Sequence, residues 1–104
     1  MTPEGKVKEA CKKFLKERKI FFFMPVSNGM GQVGIPDIIC CYKGIFVAIE
    51  TKAPGKRANV TDNQKKILDN IADAEGFAWV VDDPSTLGNL FDSVDIWFRL
   101  EKYD

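Results

Sequence analysis

A chain of 104 residues, 45% of them hydrophobic, has room for one domain with one core, predicted to span residues 1–104, and contains no apolar run long enough to cross a membrane. The sequence has no histidine, which excludes histidine-containing catalytic triads and His-based zinc hydrolysis and leaves carboxylates, lysine and a metal for hydrolytic chemistry. The net charge is zero, but residues 1–66 carry 13 Lys and Arg against 6 Asp and Glu and residues 67–104 carry 2 against 9, which predicts a basic face suited to a polyanion.

The first predicted element is an amphipathic helix that ends near Lys19. Thr2 suits its N-cap, and Pro3 and Glu4 suit its first turn. Glu4 falls on the apolar stripe of this helix, which recurs at helical spacing through Val7, Ala10, Cys11, Phe14 and Leu15. The beginning of the chain lacks the apolar region of a signal peptide, so we expect a cytoplasmic protein.

An aromatic strand is predicted next, from Ile20 to Val26, with Pro25 near its end. The segment that follows, Ser27–Gly34, is rich in glycine and contains a Gly-x-Gly-x-x-Gly spacing. We attribute this spacing to chance, because Pro36 follows directly and no helix opens there. The backbone amides of the loop could approach a phosphate, although a simple connection explains its residues as well.

A β-hairpin with charged ends is predicted at the centre of the chain. Two apolar runs on either side of a Lys43-Gly44 turn form its strands, which we expect to be covered on both faces. Asp37 opens the first run, and Glu50 and Lys52 close the second, where unpaired buried charges are costly. We predict that these three residues form an active site. The alternative is a Glu50–Lys52 ion pair, with Asp37 as a turn residue.

These residue types suit metal-assisted hydrolysis of a phosphodiester. The carboxylates of Asp37 and Glu50, helped by the backbone carbonyl of Thr51, offer the hard oxygen ligands that Mg²⁺ or Mn²⁺ prefers. Such a metal polarises a phosphodiester and lowers the pKa of water. The ammonium of Lys52 could orient that water and stabilise the charge that develops in the transition state.

The three cysteines do not suggest a disulfide framework. Cys11, Cys40 and Cys41 are odd in number and show no Cys-x-x-Cys spacing. Cys40 and Cys41 are adjacent on a strand and therefore point to opposite faces. We interpret all three as buried thiols in a reducing compartment.

Four basic residues that follow the hairpin are candidate contacts to DNA. Lys56 and Arg57 lie in a short loop, where phosphate contact and loop solubility are equally good interpretations. Lys65 and Lys66 lie in the first turn of the next predicted helix, where the helix dipole disfavours cations. Their placement there favours an anionic partner.

That second helix begins with a capping box. Thr61 is the expected N-cap and Gln64 reaches back to it, and the helix is predicted to run to about Glu75, with Gly76 as its end. This capping role explains the presence of Gln64, so a catalytic role is not needed to account for it.

The rest of the chain is predicted to hold one strand and one short helix. Phe77–Val81 reads as a core strand. Asp83 and Pro84 predict the start of a helix that ends near Phe91. Residues 94–103 have no firm assignment, and exposed aromatic residues there would suit a dimer contact.

The charged ends of the hairpin resemble the PD-(D/E)xK nuclease superfamily, matched by Pro36-Asp37 and by Glu50-Thr51-Lys52. Within this superfamily the chain resembles the VRR-NUC group, the virus-type replication-repair nucleases. The matching segments are Gly34–Asp37, Ile49–Gly55 and Thr61–Gln64. With the flanking helices, the resemblance extends over nearly the whole chain.

The resemblance implies an α/β fold, a restriction-endonuclease-like sandwich with a mixed central β-sheet flanked by helices. It also implies that Glu4 assists metal binding from the first helix and that Gln64 lies near the active site. The resemblance further implies a homodimer, as in members of the group that consist of this domain alone, and branched DNA as the substrate. A phage or mobile-element source for the protein would fit the resemblance.

We therefore expect a Mg²⁺- or Mn²⁺-dependent endonuclease that acts in DNA repair on branched DNA such as Holliday junctions or flaps. Asp37 and Glu50 would hold the metal, with Thr51 and Glu4 as further ligands, and Lys52 and Gln64 would complete the catalytic set. The alternative is a non-catalytic nucleic-acid-binding module on the same fold. A small structural or regulatory protein, in which these charges are merely ion-paired, is the third interpretation.

Overall fold

The computed structural model describes residues 1–26 and 33–103, with side chains described as far as residue 100. Within the described residues, three helices and four strands follow one another, in the order α1 (Pro3–Glu17), β1 (Phe21–Phe23), β2 (Ile38–Tyr42), β3 (Ile45–Thr51), α2 (Asp62–Asp73), β4 (Phe77–Val81), a 3₁₀ turn (Pro84–Thr86) and α3 (Leu87–Tyr103). The predicted α/β class is confirmed. Among the described residues, no helix is both long enough and apolar enough to cross a membrane.

The four strands form one mixed sheet in the order β1-β2-β3-β4. The first three strands are antiparallel, and β3 and β4 are parallel, because α2 crosses over the sheet between them. The hairpin turn has positive φ angles at Lys43 (53°) and Gly44 (80°), the conformation of a type I′ turn whose twist matches that of the strands. The predicted hairpin and mixed sheet are both confirmed.

The two faces of the sheet differ in how they are covered. One face packs against α1 and α3 and forms the core, which consists of Val7, Cys11, Leu15, Ile20, Ile38, Cys40, Val47, Ile49, Val81, Leu87 and Phe91. The opposite face carries Glu50 and is covered by α2 only over part of its width. Phe21, Phe23 and Phe46 are exposed on the remainder. The prediction that the central strands are covered on both faces is therefore wrong at the end of β2 and β3 next to the hairpin turn.

Cys41 lies on the uncovered part of the sheet. In the strand register it pairs with Phe21 on one side and Phe46 on the other, and it is exposed, whereas Cys11 and Cys40 are buried. The prediction of three buried thiols is thus wrong for Cys41. The alternation that places Cys40 in the core directs its neighbour to the open face.

Helices α1 and α2 both end two residues before the predicted position. In each case a non-glycine residue adopts a positive φ angle just after the helix, at Lys19 (56°) and at Glu75 (70°). The Ile20 amide donates to the Leu15 carbonyl, and the Gly76 amide donates to the Ile71 carbonyl, which completes a Schellman motif at each end.

The end of the chain differs most from its prediction. Asp83 caps the turn that starts at Pro84, as expected, and its side chain accepts a hydrogen bond from the Ser85 amide. The helix does not stop near Phe91, however, but continues to Tyr103. Leu87, Phe91 and Val94 are buried at helical spacing, and this stripe drives one long helix. Strand β1 is shorter than predicted and stops before Pro25, which cannot donate to a sheet.

Candidate active site

The hairpin brings two of the three predicted site residues side by side. Ile38 pairs with Ile49 in the antiparallel register, so Asp37 and Glu50 are the next opposed positions, one step beyond the last pair. Opposed residues of an antiparallel pair have Cβ atoms about 5 Å apart and point to the same face. Both carboxylates therefore stand at the same end of the sheet, where Glu50 contacts Gln64 of α2 and Asp37 contacts Thr51 and Lys8 of α1.

Asp37 is held in place by the residue that follows Glu50. Its Oδ2 accepts hydrogen bonds from the Thr51 amide at 2.9 Å and from Thr51 Oγ1 at 2.7 Å. Thr51 is fully buried, so this anchor is rigid. The other oxygen of Asp37, Oδ1, lies 3.4 Å from Lys8 Nζ. The structure thus gives Thr51 a role in orienting Asp37, in addition to the predicted role of its carbonyl.

Glu50 is a buried carboxylate with one oxygen that has no partner. The residue is only 4% exposed, and its Oε2 accepts a hydrogen bond from Gln64 Nε2 at 2.8 Å. Its Oε1 is also buried and accepts no well-aligned hydrogen bond from the described residues. An unsatisfied buried oxygen is costly in a folded protein and is found where a ligand or water completes the site.

The surroundings of Glu50 disfavour its ionised form. Burial raises the pKa of the Glu50 carboxyl to about 7 from its ordinary value of 4.5, and repulsion by Asp37 adds to this effect. Attraction by Lys52 and an interaction with the Asp37 backbone amide lower the pKa, and repulsion by Glu4 raises it further. A cation placed between the carboxylates would reverse the balance and hold Glu50 in its charged form.

Gln64 joins Glu50 to Lys52 through its side-chain amide. Its Oε1 accepts a hydrogen bond from Lys52 Nζ at 2.9 Å, and Lys52 Nζ lies 3.8 Å from Glu50 Oε2. The same Oε1 also accepts from the Thr61 amide at 3.0 Å and so completes the predicted capping box. Two donors at Oε1 and one acceptor at Nε2 fix the orientation of the amide. Capping alone therefore does not account for Gln64, which also positions both charged residues.

The donor set fits a hard divalent cation. Glu50 Oε1 and Asp37 Oδ1 are the carboxylate oxygens left outside the network formed by Thr51 and Gln64. Mg²⁺ commonly takes one or two carboxylates and completes its shell with water and substrate phosphate. Within the described residues no group of three or more acidic, cysteine or histidine side chains forms a metal cluster, so Glu4 is not assembled with Asp37 and Glu50 as a third direct ligand.

Lys8 belongs to the site and was not predicted from the sequence. It lies on α1 one helical turn after Glu4, and its ammonium faces Asp37. The pattern contained a signal for it, because residues four apart share a helix face and Glu4 was already assigned to the buried side.

The predicted DNA contacts lie on the surface. Lys56, Arg57, Lys65 and Lys66 are all exposed. Lys65 pairs with Asp69 at 3.2 Å, one turn further along α2. This pair partly accounts for a lysine at an unfavourable helix position, which weakens the inference drawn from Lys65. No ion pair involving Lys56, Arg57 or Lys66 occurs among the described residues.

Gly34 explains how the loop before Asp37 is joined to α2. Its φ angle is 89°, and a Cβ at this position would lie 2.7 Å from the carbonyl atoms of Asn63 and 2.8 Å from the Gln64 amide. Only glycine permits this close approach of two backbones. The segment Ser27–Gln32, which includes most of the predicted glycine-rich loop, lies outside the described residues.

Comparison with known proteins identifies the fold. No protein-family model matches the chain. No curated protein matches it either. A solved structure described as a VRR_NUC domain does match, with a TM-score of 0.70 and 18% sequence identity, over 88% of this chain and 97% of its own. At this level of identity the likeness shows the fold, a VRR_NUC-type restriction-endonuclease-like architecture, which confirms the predicted fold class.

Proposed function

We propose that this protein is a metal-dependent nuclease that hydrolyses phosphodiester bonds in DNA. The observation that carries the proposal is the pair of carboxylates, in which buried Glu50 Oε1 accepts no well-aligned hydrogen bond from the described residues and Asp37 Oδ1 faces the Lys8 ammonium. A lysine held 3.8 Å from Glu50 completes the set. The likeness in fold to a VRR_NUC domain supports the same conclusion.

Each residue of the site has a defined task in this chemistry. Asp37 and Glu50 would hold Mg²⁺ or Mn²⁺, which when bound supplies the charge that polarises the phosphodiester and makes water acidic. Lys52 orients the attacking water and stabilises the negative charge that develops on the phosphoryl oxygens. Water adds to phosphorus and one bond from phosphorus to a sugar oxygen breaks. Thr51 keeps Asp37 in position, and Gln64 does the same for Glu50 and Lys52.

Structured DNA is the proposed substrate. The exposed Lys56, Arg57 and Lys66, and Lys65 beside them, would contact the phosphate backbone. Contacts of this kind position DNA but carry no base information, so selection by shape is expected over selection by sequence. Together with the resemblance to VRR-NUC proteins, this favours branched DNA such as Holliday junctions or flaps, cleaved during DNA repair in the cytoplasm of a bacterium or a phage-infected host.

We also propose that the protein forms a homodimer. The exposed part of the sheet is a better candidate for the dimer interface than α3. Trp97 on α3 already packs edge-on against Phe77, with ring centroids 5.7 Å apart. Phe21, Phe23 and Phe46 are 67%, 51% and 47% exposed. Together they expose roughly 300 Å² of uncharged surface, a large part of the roughly 800 Å² that each partner of a stable complex buries. A second copy can face such a surface without like-charge repulsion.

The test is cleavage of labelled four-way junction, flap and duplex DNA with Mg²⁺, Mn²⁺ or EDTA. We expect cleavage of the branched substrates with either metal and none in EDTA. Asp37→Asn and Lys52→Met should each reduce cleavage at least a hundredfold while the fold is retained, because each removes a group that acts on the reacting phosphate. Salt-sensitive DNA binding without cleavage under any metal condition would favour the non-catalytic module instead.

A further inference from the structure

We propose that Lys8 is an exchangeable counter-ion of Asp37, which neutralises this carboxylate while no metal is bound and contacts the substrate phosphate once a divalent cation has replaced it. The inference rests on the proposed function and assigns to α1 a residue that acts at both stages of substrate engagement.

The two oxygens of Asp37 are in different situations. Oδ2 accepts two short hydrogen bonds from buried Thr51, at 2.9 and 2.7 Å, and these fix the plane of the carboxylate. Oδ1 faces Lys8 Nζ at 3.4 Å, an ion-pair distance that is not accompanied by a well-aligned hydrogen bond. The oxygen offered to a cation is thus the one that the ammonium now faces.

The ion pair between Lys43 and Asp95 has a structural role and serves as a comparison. Lys43 Nζ donates to Asp95 Oδ1 at 2.6 Å, and Tyr42 donates to the same oxygen at 2.8 Å, so the three side chains tie the hairpin turn to α3. The Lys8 pair is longer, at 3.4 Å, and lacks such a hydrogen bond, although both pairs are partly open to solvent, at 28% and 22% exposure for Lys8 and Asp37 and at 49% and 27% for Lys43 and Asp95. Partly exposed pairs of this kind are weak and easily exchanged.

Charge repulsion would displace Lys8 from Asp37 when a metal ion binds. A divalent cation at Asp37 Oδ1 would stand within about 5 Å of the ammonium, and the two positive charges repel each other. Lys8 would then leave Asp37, and its flexible four-carbon chain allows the ammonium to move without movement of α1. The phosphate that joins the metal is the nearest new anion, so the displaced ammonium would stabilise the bound substrate.

The matched variants are Lys8→Met and Lys12→Met. Both residues lie on α1, one turn apart, and each forms one ion pair, at 3.4 Å with Asp37 and at 3.2 Å with Glu9 respectively. Isothermal titration of the DNA-free protein with Mn²⁺ should show about two- to fivefold tighter binding for Lys8→Met, because the competing charge is gone. Lys12→Met should bind Mn²⁺ with the parental affinity.

The second readout is cleavage at saturating Mn²⁺. Lys8→Met should raise KM for branched DNA several-fold with a smaller change in kcat, and Lys8→Arg should restore most of the loss, since it keeps the charge. Tighter metal binding combined with weaker substrate use is a pattern that a purely structural role does not produce.

Two results would overturn the inference, and they can be told apart. Unchanged or weaker Mn²⁺ binding by Lys8→Met, with normal binding by the parent, would overturn the role of Lys8 alone. Absence of Mn²⁺ binding by the parent would overturn the proposed function together with the exchange. A matching circular dichroism melting curve for each variant shows that the measurements compare folded proteins.

Discussion

Among the single residues, Glu50 has the largest expected effect on stability, because its carboxylate is buried even when no cation is bound. Its carboxyl has a pKa of about 7 in the folded chain against an ordinary 4.5. The folded state therefore binds a proton more tightly than the unfolded state, and its stability falls as the pH rises from about 4.5 to 7. Above pH 7 the full penalty, on the order of 3 kcal/mol, is present.

Glu50→Gln should remove this penalty and keep the hydrogen bond from Gln64. In EDTA at pH 8 we expect the variant to be more stable than the parent by up to about 3 kcal/mol, and at pH 5 the difference should fall below about 1 kcal/mol. Urea unfolding at both pH values measures it. A difference that stays constant between pH 5 and pH 8 would show that Glu50 does not titrate as its burial demands.

Gln64 should serve two purposes that can be separated by mutation. Gln64→Ala removes both the capping contact and the acceptor for Lys52, whereas Thr61→Ala removes only the cap. Both variants should lose about 1 kcal/mol of stability, as capping residues do. Only Gln64→Ala should also lose cleavage, by about 10- to 100-fold, since it frees Glu50 and Lys52. Equal activity of the two variants in the junction assay would leave Gln64 as a cap alone.

Sequence reasoning reached the site residues unevenly, for physical reasons. Asp37, Glu50 and Lys52 stood out because charges at the ends of apolar strands are costly unless they are used. Lys8 did not stand out, although it lies one turn after Glu4, because α1 is rich in lysine and the carboxylate that Lys8 faces lies far along the chain. Gln64 was interpreted correctly as a cap, but its further contacts depend on how α2 is placed over β3.

At the scale of elements, the placement of α2 depends on the glycine at position 34. Gly34→Ala would bring a methyl group to 2.7 Å from the Asn63 carbonyl, whereas Gly44→Ala has a similar φ angle of 80° but nothing within 4 Å of the added methyl. Gly44→Ala should cost about 1–2 kcal/mol, the strain of a left-handed alanine. Gly34→Ala should cost clearly more, because the start of α2 must also move.

Urea unfolding of the two glycine variants measures this difference, and Mn²⁺ titration adds a second comparison. Displacement of α2 carries Gln64 away from Glu50, so Gly34→Ala should bind the metal less tightly than Gly44→Ala. Equal stabilities and equal affinities would mean that the approach of the loop to α2 does not support the site.

Elements that depend on local patterns were predicted well, and those that depend on tertiary contacts were not. The capping box at Thr61 and the turn at Lys43-Gly44 are encoded within a few residues. The length of α3 is not, because the last buried residue of its stripe is Val94, and Ile96, Trp97 and Leu100 beyond it are exposed. The end of α2 was misplaced by two residues, since Glu75 and not Gly76 takes the left-handed conformation. Gly76 is needed for another reason, the 2.9 Å approach of its added methyl to Ile71.

At the scale of the whole molecule, the open sheet face makes Cys41 a reporter of self-association. Burial raises the pKa of Cys11 to about 11 and that of Cys40 to about 12, so neither thiol should react in the folded protein. Cys41 is exposed between Phe21 and Phe46. One thiol per chain should therefore react rapidly with a thiol reagent at low protein concentration.

If two copies pair through this face, the rate of Cys41 labelling should fall as the protein concentration rises. Phe21→Ser should restore rapid labelling at high concentration and should shift the sedimentation profile toward the monomer. Concentration-independent labelling of a protein that sediments as a dimer would place the interface elsewhere, with the exposed side of α3 as the next candidate.

The central claim is that one end of this sheet holds a divalent cation between the two carboxylates, and diffraction at the manganese absorption edge tests it most directly. Crystals soaked in Mn²⁺ should show one anomalous peak within about 2.0–2.6 Å of both Asp37 Oδ1 and Glu50 Oε1, with Lys8 turned away from Asp37. Crystals of Glu50→Gln soaked in the same way should lack this peak. A manganese ion bound elsewhere, or carboxylates that stay apart with Lys8 still on Asp37, would contradict the account.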